Sequence, residues 1–100
     1  MAKGKALSRQ DAEALAIGAL SYVAADPVLL PRFLALTGIE ATSIRHAAQE
    51  PGFLAGVLGF VAAHEPTLIG FAEHAGVEPA MVTEALNTLP TGDARYDRST

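Results

Sequence analysis

The sequence contains an internal repeat with an offset of 38 residues, which constrains the fold more than any other feature. The segment LSYVAAD that begins at Leu20 returns as LGFVAAH at Leu58. Aligned without a gap, residues 18–47 and 56–85 share ten identities in thirty positions. The identical positions are mostly glycine, alanine and larger apolar residues. The repeat therefore predicts a domain built from two similar halves, and it contains no catalytic motif.

Composition favours an all-α fold. Alanine accounts for 20 of the 100 residues, and only 18% of the residues are charged, against roughly 25% in ordinary domains. Alanine is the best helix former because it loses no side-chain entropy when the backbone becomes ordered. One hundred residues suffice for a single hydrophobic core. The absence of cysteine excludes disulfides and thiolate metal sites.

Capping and proline signals predict six helices, one long and two short in each half. Ser8, with Asp11 three residues later, has the spacing of a capping box at the start of the first helix. Gly38 and Gly76 each follow an apolar stretch and are expected to form left-handed C-terminal caps. The predicted helices cover about residues 8–26, 28–37, 42–49, 51–64, 66–75 and 79–89, with Pro51, Pro66 and Pro79 in first turns.

We therefore predict a compact six-helix domain over residues 8–90, with repeat-like halves 8–50 and 51–90. Residues 1–7 are predicted to be a flexible N-terminus and residues 91–100 a flexible tail. Two pseudo-repeated three-helix units would pack around the two longer helices. The fourth helix is apolar nearly all round and should lie centrally against the first. Its glycines are expected to allow close approach inside the domain rather than to form a dimer seam; they are Gly52, Gly56 and Gly59.

Two stretches of the chain carry a family resemblance, LAIGALSYVAADPVLLPRFLALTGIE and PGFLAGVLGFVAAHEPTLIGFAEHAGVEP. They resemble a family of small alphaproteobacterial proteins of about 90 residues, described as a domain of unknown function. The resemblance covers residues 8–90 and is one of overall pattern, not of a catalytic signature. It implies a bacterial cytosolic origin and provides no functional residues to carry over.

Charge is distributed unevenly along the sequence. Lysine and arginine are absent between Arg45 and Arg95, although glutamate recurs through this region. The second half therefore presents an acidic surface, which repels phosphate backbones. The chain begins without the apolar run of a signal peptide, and its longest uncharged run, residues 51–63, is shorter than the roughly 20 apolar residues that cross a bilayer. We expect a cytoplasmic protein that does not bind membranes.

Two segments resemble the helix–glycine–helix corner of bacterial repressors, residues 33–45 and 71–83. DNA readout requires polar donors on the second helix and cations for the phosphates. The second segment leads into a helix without a cation, whereas the first leads into a helix with Arg45, His46 and Gln49. A DNA-binding regulator using the corner around Gly38 is therefore one alternative. A structural corner is favoured, because the domain is acidic and nucleic acid is not the expected partner.

Catalytic, cofactor and metal sites are not predicted. His64-Glu65 and Glu73-His74 stand at opposite ends of the fifth helix, roughly 15 Å apart, so they cannot share a metal ion within one chain. The serines and threonines lack a neighbouring base in a recognisable arrangement, and no glycine-rich phosphate loop is present. A small enzyme is therefore the least favoured alternative.

The favoured function is a non-enzymatic protein-interaction or self-associating helical module, with a homo-oligomer as one form. Apolar residues crowd the second and fifth helices, either as core or as a partner-binding patch: Leu29, Leu34, Leu36 and Ile69. In the repeat alignment, three pairs of corresponding residues differ in character: Arg32 and Gly70, Leu36 and His74, and Arg45 and Thr83. Because basic residues occur in one copy only, the first half is predicted to carry the binding face. The candidate partner-binding residues are Arg32, Leu36, Arg45, His46 and Gln49.

Overall fold

A computed structural model describes residues 7–50 and 52–90, and these residues form six α-helices and one short 3₁₀ helix. The α-helices are α1 (Arg9–Ala24), α2 (Leu29–Thr37), α3 (Ile44–Ala47), α4 (Phe53–Ala62), α5 (Glu65–Ala75) and α6 (Pro79–Thr88). The 3₁₀ helix, Ala41–Ser43, runs directly into α3. The described residues contain no strand. The predicted all-α fold is confirmed.

Local capping chemistry fixes most helix ends where the sequence predicts them. The Ser8 hydroxyl accepts a hydrogen bond from the Asp11 amide at 3.0 Å and begins α1. Gly38 and Gly76 follow α2 and α5 with φ angles of 76° and 74°, which residues with a Cβ adopt only with strain. Pro79 stands in the first turn of α6, where a missing amide hydrogen has no cost.

The third helix is shorter than predicted, because little of the chain packs against it. In place of one helix over residues 42–49, the chain forms the 3₁₀ helix, the four-residue α3 and a turn. The amides of Gln49 and Glu50 bond to carbonyls three residues back, so the helix tightens and stops. A helix this short draws its stability from tertiary packing, and the neighbour that α3 contacts most is the preceding 3₁₀ helix.

The fourth helix begins at Phe53, later than predicted, and follows Gly52 at a φ of 90°. The prediction that Pro51 stands in its first turn falls outside the described residues. So do residues 1–6 and 91–100, which include most of the segments predicted to be flexible. Leu7, assigned to the N-terminal segment, is half-buried and packs against the core. Leu7 therefore contributes to the packing of the domain.

The core lies where α1, α4 and α6 pack against one another. From α1 it takes a row of fully buried small residues, Ala12, Ala16, Ala19 and Val23. Val57, Leu58 and Val61 of α4 and Val82 and Ala85 of α6 are also fully buried. The predictions that α4 lies centrally and packs against α1 are confirmed. Short alanine side chains bring the three helix backbones together.

Gly56 and Gly59 do not provide this close approach, so the prediction is wrong for these two glycines. A Cβ built on Gly56 or Gly59 would have no atom within 4 Å, apart from its chain neighbours and the nearby backbone of its own helix. Gly56 is also exposed to solvent. Glycine spacing alone does not reveal which side of a helix meets its neighbour. In this domain the α1 alanines have that role.

The 38-residue offset relates several features of the fold. The α1–α2 pair and the α4–α5 pair are each bent by 111°. The Tyr22–Phe71 ring centroids are 5.5 Å apart, and those of the offset-related pair Phe60–Phe33 are 5.4 Å apart. The third helices differ, since α6 packs on α1, α4 and α5 whereas α3 joins the 3₁₀ helix. A pseudo-repeat of the whole domain therefore remains a prediction.

None of the helices in the described residues is long and apolar enough to span a bilayer alone. The bent pairs α1–α2 and α4–α5 satisfy length and composition only when their members are counted together.

Two glycine substitutions should change stability in opposite directions. Gly56→Ala should raise the free energy of unfolding by about 0.5–1 kcal/mol, because alanine reduces the entropy of the unfolded chain and fits the open space. Gly76→Ala should lower it by about 1–2 kcal/mol, because φ is positive there. Urea unfolding followed by circular dichroism measures both. Destabilisation by Gly56→Ala would show that this side of α4 is occupied.

Candidate protein-interaction surface

One side of α2 carries an exposed row of three residues, which we call the α2 stripe: Val28, Arg32 and Leu36. Val28 is the residue that precedes the first turn of α2, and the three residues are spaced four apart, so they lie along one side of the helix. Val28 is 61% exposed and Leu36 is 72% exposed, and Arg32 is exposed between them. Large aliphatic side chains left this open on a helix of nine residues are candidates for contact with another molecule.

The opposite side of α2 holds the helix firmly on the domain. Phe33 is 1% exposed and meets two aromatic rings edge-on, Phe53 at 6.1 Å and Phe60 at 5.4 Å between centroids. Leu29 is buried one turn earlier. Edge-to-face contacts of this kind fix ring orientation as well as burying area. The direction in which the α2 stripe points is therefore set by the core.

Both ends of α2 are closed by side-chain hydrogen bonds. The Asp26 Oδ1 atom accepts from the amides of Leu29 and Val28 at 2.9 and 2.8 Å. These two donors, that of Leu29 first, hold the pKa of the Asp26 carboxyl below its ordinary value of 3.8. At the other end, the Thr37 hydroxyl donates to the Phe33 carbonyl at 2.9 Å, just before Gly38. The α2 stripe is thus carried by a preorganised helix.

A second open feature is a groove between α1 and the α3 segment, which we call the α3 groove. Its volume is about 650 Å³. It is lined by Leu20, Ala41, Thr42, Ile44, Arg45 and Ala48. Leu20 and Ile44 are half-buried and form an apolar floor, and the exposed Arg45 lies on the lining. The groove exists because α3 does not pack onto α1 as closely as α6 does.

The predicted site residues all lie on the surface, but they form two groups rather than one. Arg32 and Leu36 belong to the α2 stripe. Arg45 lies on the α3 groove, and His46 and Gln49 are exposed beside it. The helices α2 and α3 are not among the pairs in substantial contact. Within residues 7–50 and 52–90, neither Arg32 nor Arg45 forms a salt bridge, and the ion pair found there joins Arg9 to Glu13 at 3.6 Å.

Of the four aliphatic residues that could belong either to the core or to a partner-binding patch, two lie in or against the core and two on the surface. Leu29 is buried and Leu34 is half-buried against the core, whereas Leu36 and Ile69 are exposed. Sequence reasoning overlooked Val28, which is marked by its position four residues before Arg32 and off the Leu29–Phe33 face. It also overlooked Ile17, which is 54% exposed on α1. Ile17 falls outside the i, i+3, i+4 pattern of the buried α1 residues.

Packing explains why α5 has different residues at the positions that correspond to Arg32 and Leu36 of the α2 stripe. Gly70 of α5 corresponds to Arg32, and a Cβ there would lie 2.7 Å from the Tyr22 hydroxyl oxygen. His74 corresponds to Leu36, and its ring packs on that of Tyr22 with centroids 5.2 Å apart. The Tyr22 side chain therefore covers α5 at Gly70 and contacts the ring of His74, which remains exposed. The equivalent face of α2 carries a long cation and a leucine, and both are open to solvent.

Polar groups also meet beside Tyr22, in a groove of about 340 Å³ that includes Ser21, Asp26 and His74. The Asp26 carboxylate already accepts two backbone amides, and His74 meets Tyr22 by ring contact. Elsewhere, His64 Nδ1 is 2.7 Å from the Thr67 hydroxyl oxygen. In the part of the chain that the structure describes, no three histidine or carboxylate side chains converge as metal ligands would.

The corner around Gly38 lacks the dimensions of a DNA-reading motif. A recognition helix lies along the major groove and contacts several base edges. The helix after this corner, α3, has four residues, about one turn. The corner around Gly76 is followed by a ten-residue helix, α6, but Val82 and Ala85 of that helix are buried in the core.

Comparison with known families gives one match over nearly all of the described residues. Residues 9–92 match the family described as a protein of unknown function, DUF3572. The chain belongs to this family, which confirms the predicted resemblance to a domain of unknown function. Comparison with curated proteins and with solved structures gives no match.

The cap on α2 makes a prediction about pH. Asp26→Ala should lower the unfolding midpoint near neutral pH, because the Val28 and Leu29 amides lose their acceptor. Since the pKa of Asp26 is lowered in the folded state, the cap stabilises fully above 3.8 and its contribution is lost as the pH falls through that lower pKa.

Urea unfolding of wild type and Asp26→Ala at about pH 7 and about pH 2 measures this difference. Asp26→Asn is the matched control, because asparagine keeps an acceptor that does not titrate. A gap between wild type and Asp26→Ala that stays the same at both pH values would contradict the assignment.

Proposed function

We propose that this protein is a non-enzymatic cytoplasmic module that binds a partner protein through the α2 stripe. One observation carries the proposal: Val28 and Leu36 are 61% and 72% exposed on either side of Arg32. In a monomer without a partner, this arrangement adds no stability to the fold, because neither aliphatic side chain is fully buried in the core.

Burial energetics support binding at this position. Covering a valine or leucine side chain completely contributes about 1.5–3 kcal/mol. The cost of binding is reduced when the binding element is already ordered. The capped and core-anchored α2 satisfies that condition through Asp26, Thr37 and Phe33. Arginine at the centre of an apolar patch is also a frequent energetic hot spot.

Charge indicates the chemistry of the partner. The cations of the described residues all lie in the first half of the chain, at Arg9, Arg32 and Arg45. Arg9 pairs with Glu13, whereas no salt bridge engages the other two within those residues. A partner for the α2 stripe should therefore combine an apolar contact with carboxylates that reach Arg32. The α3 groove, with Arg45 on its lining, supplies a second contact region for a larger partner.

Site-specific photocrosslinking in the native host cells tests this proposal. A benzophenone amino acid is incorporated at position 28 or 36, and at the exposed control positions of Ala14 on α1 and Asn87 on α6. Discrete protein adducts are expected at positions 28 and 36 and not at the controls. Adding Arg32→Glu should reduce them severalfold, because the charge contact is reversed. Adducts that are absent, or equal at all four positions, would overturn the proposal.

The DNA-binding regulator alternative predicts that the protein binds duplex DNA, whereas the proposed function predicts that it does not. At low ionic strength, where phosphate attraction is strongest, the protein should not be retained on duplex DNA, because the second half is acidic and α3 is a single turn. Fluorescence anisotropy of labelled duplex in about 0.01 M salt measures this. Binding that weakens with salt and is abolished by Arg45→Glu would instead favour the DNA-binding regulator.

A further inference from the structure

We infer that the α2 stripe binds a second copy of this chain, and that its docking site there is the outer face of α5. This inference rests on the proposed function and specifies its partner. The α5 face consists of Glu65, Ile69 and Glu73, spaced four residues apart like the α2 stripe. All three are exposed, and Ile69 is 42% exposed.

The outer face of α5 lies away from the domain core. Phe71 and Thr67 are buried on the inner side of the helix, and Tyr22 covers the flank at Gly70. In the described residues no salt bridge engages Glu65 or Glu73, and no lysine or arginine occurs in the sequence between Arg45 and Arg95 to provide one locally. The carboxylates are therefore open to a cation from another molecule, and the α2 stripe of another copy has one.

The two rows match in spacing and carry opposite charges. One reads aliphatic, cation, aliphatic, and the other reads carboxylate, aliphatic, carboxylate. Four helical residues rise about 6 Å, so both rows are about 12 Å long. If Ile69 packs between Val28 and Leu36, its neighbouring glutamates come to either side of Arg32. The arginine stem can then cover Ile69 while its guanidinium reaches a carboxylate. Rows of this i±4 type pack across one another in helix pairs.

The contact joins different surfaces of the two copies, so it leaves one of each free. Each copy uses its α2 stripe toward one neighbour and its α5 face toward another, which gives a ring or an open chain. Three residues on each side form a contact smaller than a standard interface. Self-association should therefore be weak, concentration-dependent and weakened by salt.

Charge reversal on each surface, separately and in a mixture, tests the assignment. Arg32→Glu should abolish self-association, and so should the double variant Glu65→Gln/Glu73→Arg, because each confronts like charges. Mixing the two variants should restore association, since every α2–α5 contact between unlike copies again joins opposite charges. Arg9→Glu and Glu78→Gln/Glu84→Arg are controls with the same charge changes at other exposed positions. Ile69→Ser leaves the charge unchanged and should weaken association at least severalfold.

Analytical ultracentrifugation of the full chain, up to about 1 mM protein and in about 0.01 M and 1 M salt, gives the readout. The expected result is a mass that rises with concentration at low salt, falls at high salt, and responds to the variants as stated. Circular dichroism melts confirm that each variant is folded.

A wild-type monomer at the highest concentration would overturn the inference. Loss of association in the controls, or a mixture that fails to associate, would overturn it too. A monomer that still forms heterologous adducts at positions 28 and 36 would refute the second-copy partner and leave the proposed function standing. Absence of adducts refutes the proposed function itself.

Discussion

The fold depends on the contact of α1 with α4 and α6 through a row of small side chains. Ala12, Ala16 and Ala19 are completely buried, so the partner helices pack almost against the α1 backbone. A larger residue in this row would have to push α4 or α6 outward, because protein interiors have no spare volume. The remaining helices are positioned relative to this contact.

The exposed surface follows from how the first half completes its packing. In the second half, α6 enters the core and covers α1, α4 and α5. The corresponding α3 is a single turn that contacts the preceding 3₁₀ helix, and this leaves the α3 groove open. Likewise, Tyr22 covers α5 at Gly70, while the matching position of α2 carries Arg32 and remains open beside Leu36. The first half thus carries the surfaces that the fold does not use.

Charge and apolar exposure are separated along the chain in a way that bears on assembly. The acidic second half keeps its carboxylates on the outside, as on α5 and α6, where solvent satisfies them. The first half exposes aliphatic residues beside cations. Two surfaces of opposite character on one small domain favour contacts between unlike faces over symmetric ones.

The candidate site could be predicted from the sequence only in part. Arg32, Leu36, Arg45, His46 and Gln49 were identified because basic residues occur in one repeat copy, and all five lie on the surface. The sequence did not reveal that they divide between two helices without substantial contact. It also did not show that Val28 is exposed, because a valine at a helix start is equally compatible with core packing.

By itself, the sequence determined the all-α class, the capped start of α1 and the ends of α2 and α5. These features depend on hydrogen bonds and φ angles within about one helical turn, as at Ser8, Gly38 and Gly76. Tertiary structure alone decided which side of each helix is covered. Gly56 faces open space, Leu29 is buried and Leu36 is exposed, because these outcomes depend on neighbours distant in sequence. The length of α3 was decided in the same way, since a short helix persists only as far as other elements pack against it.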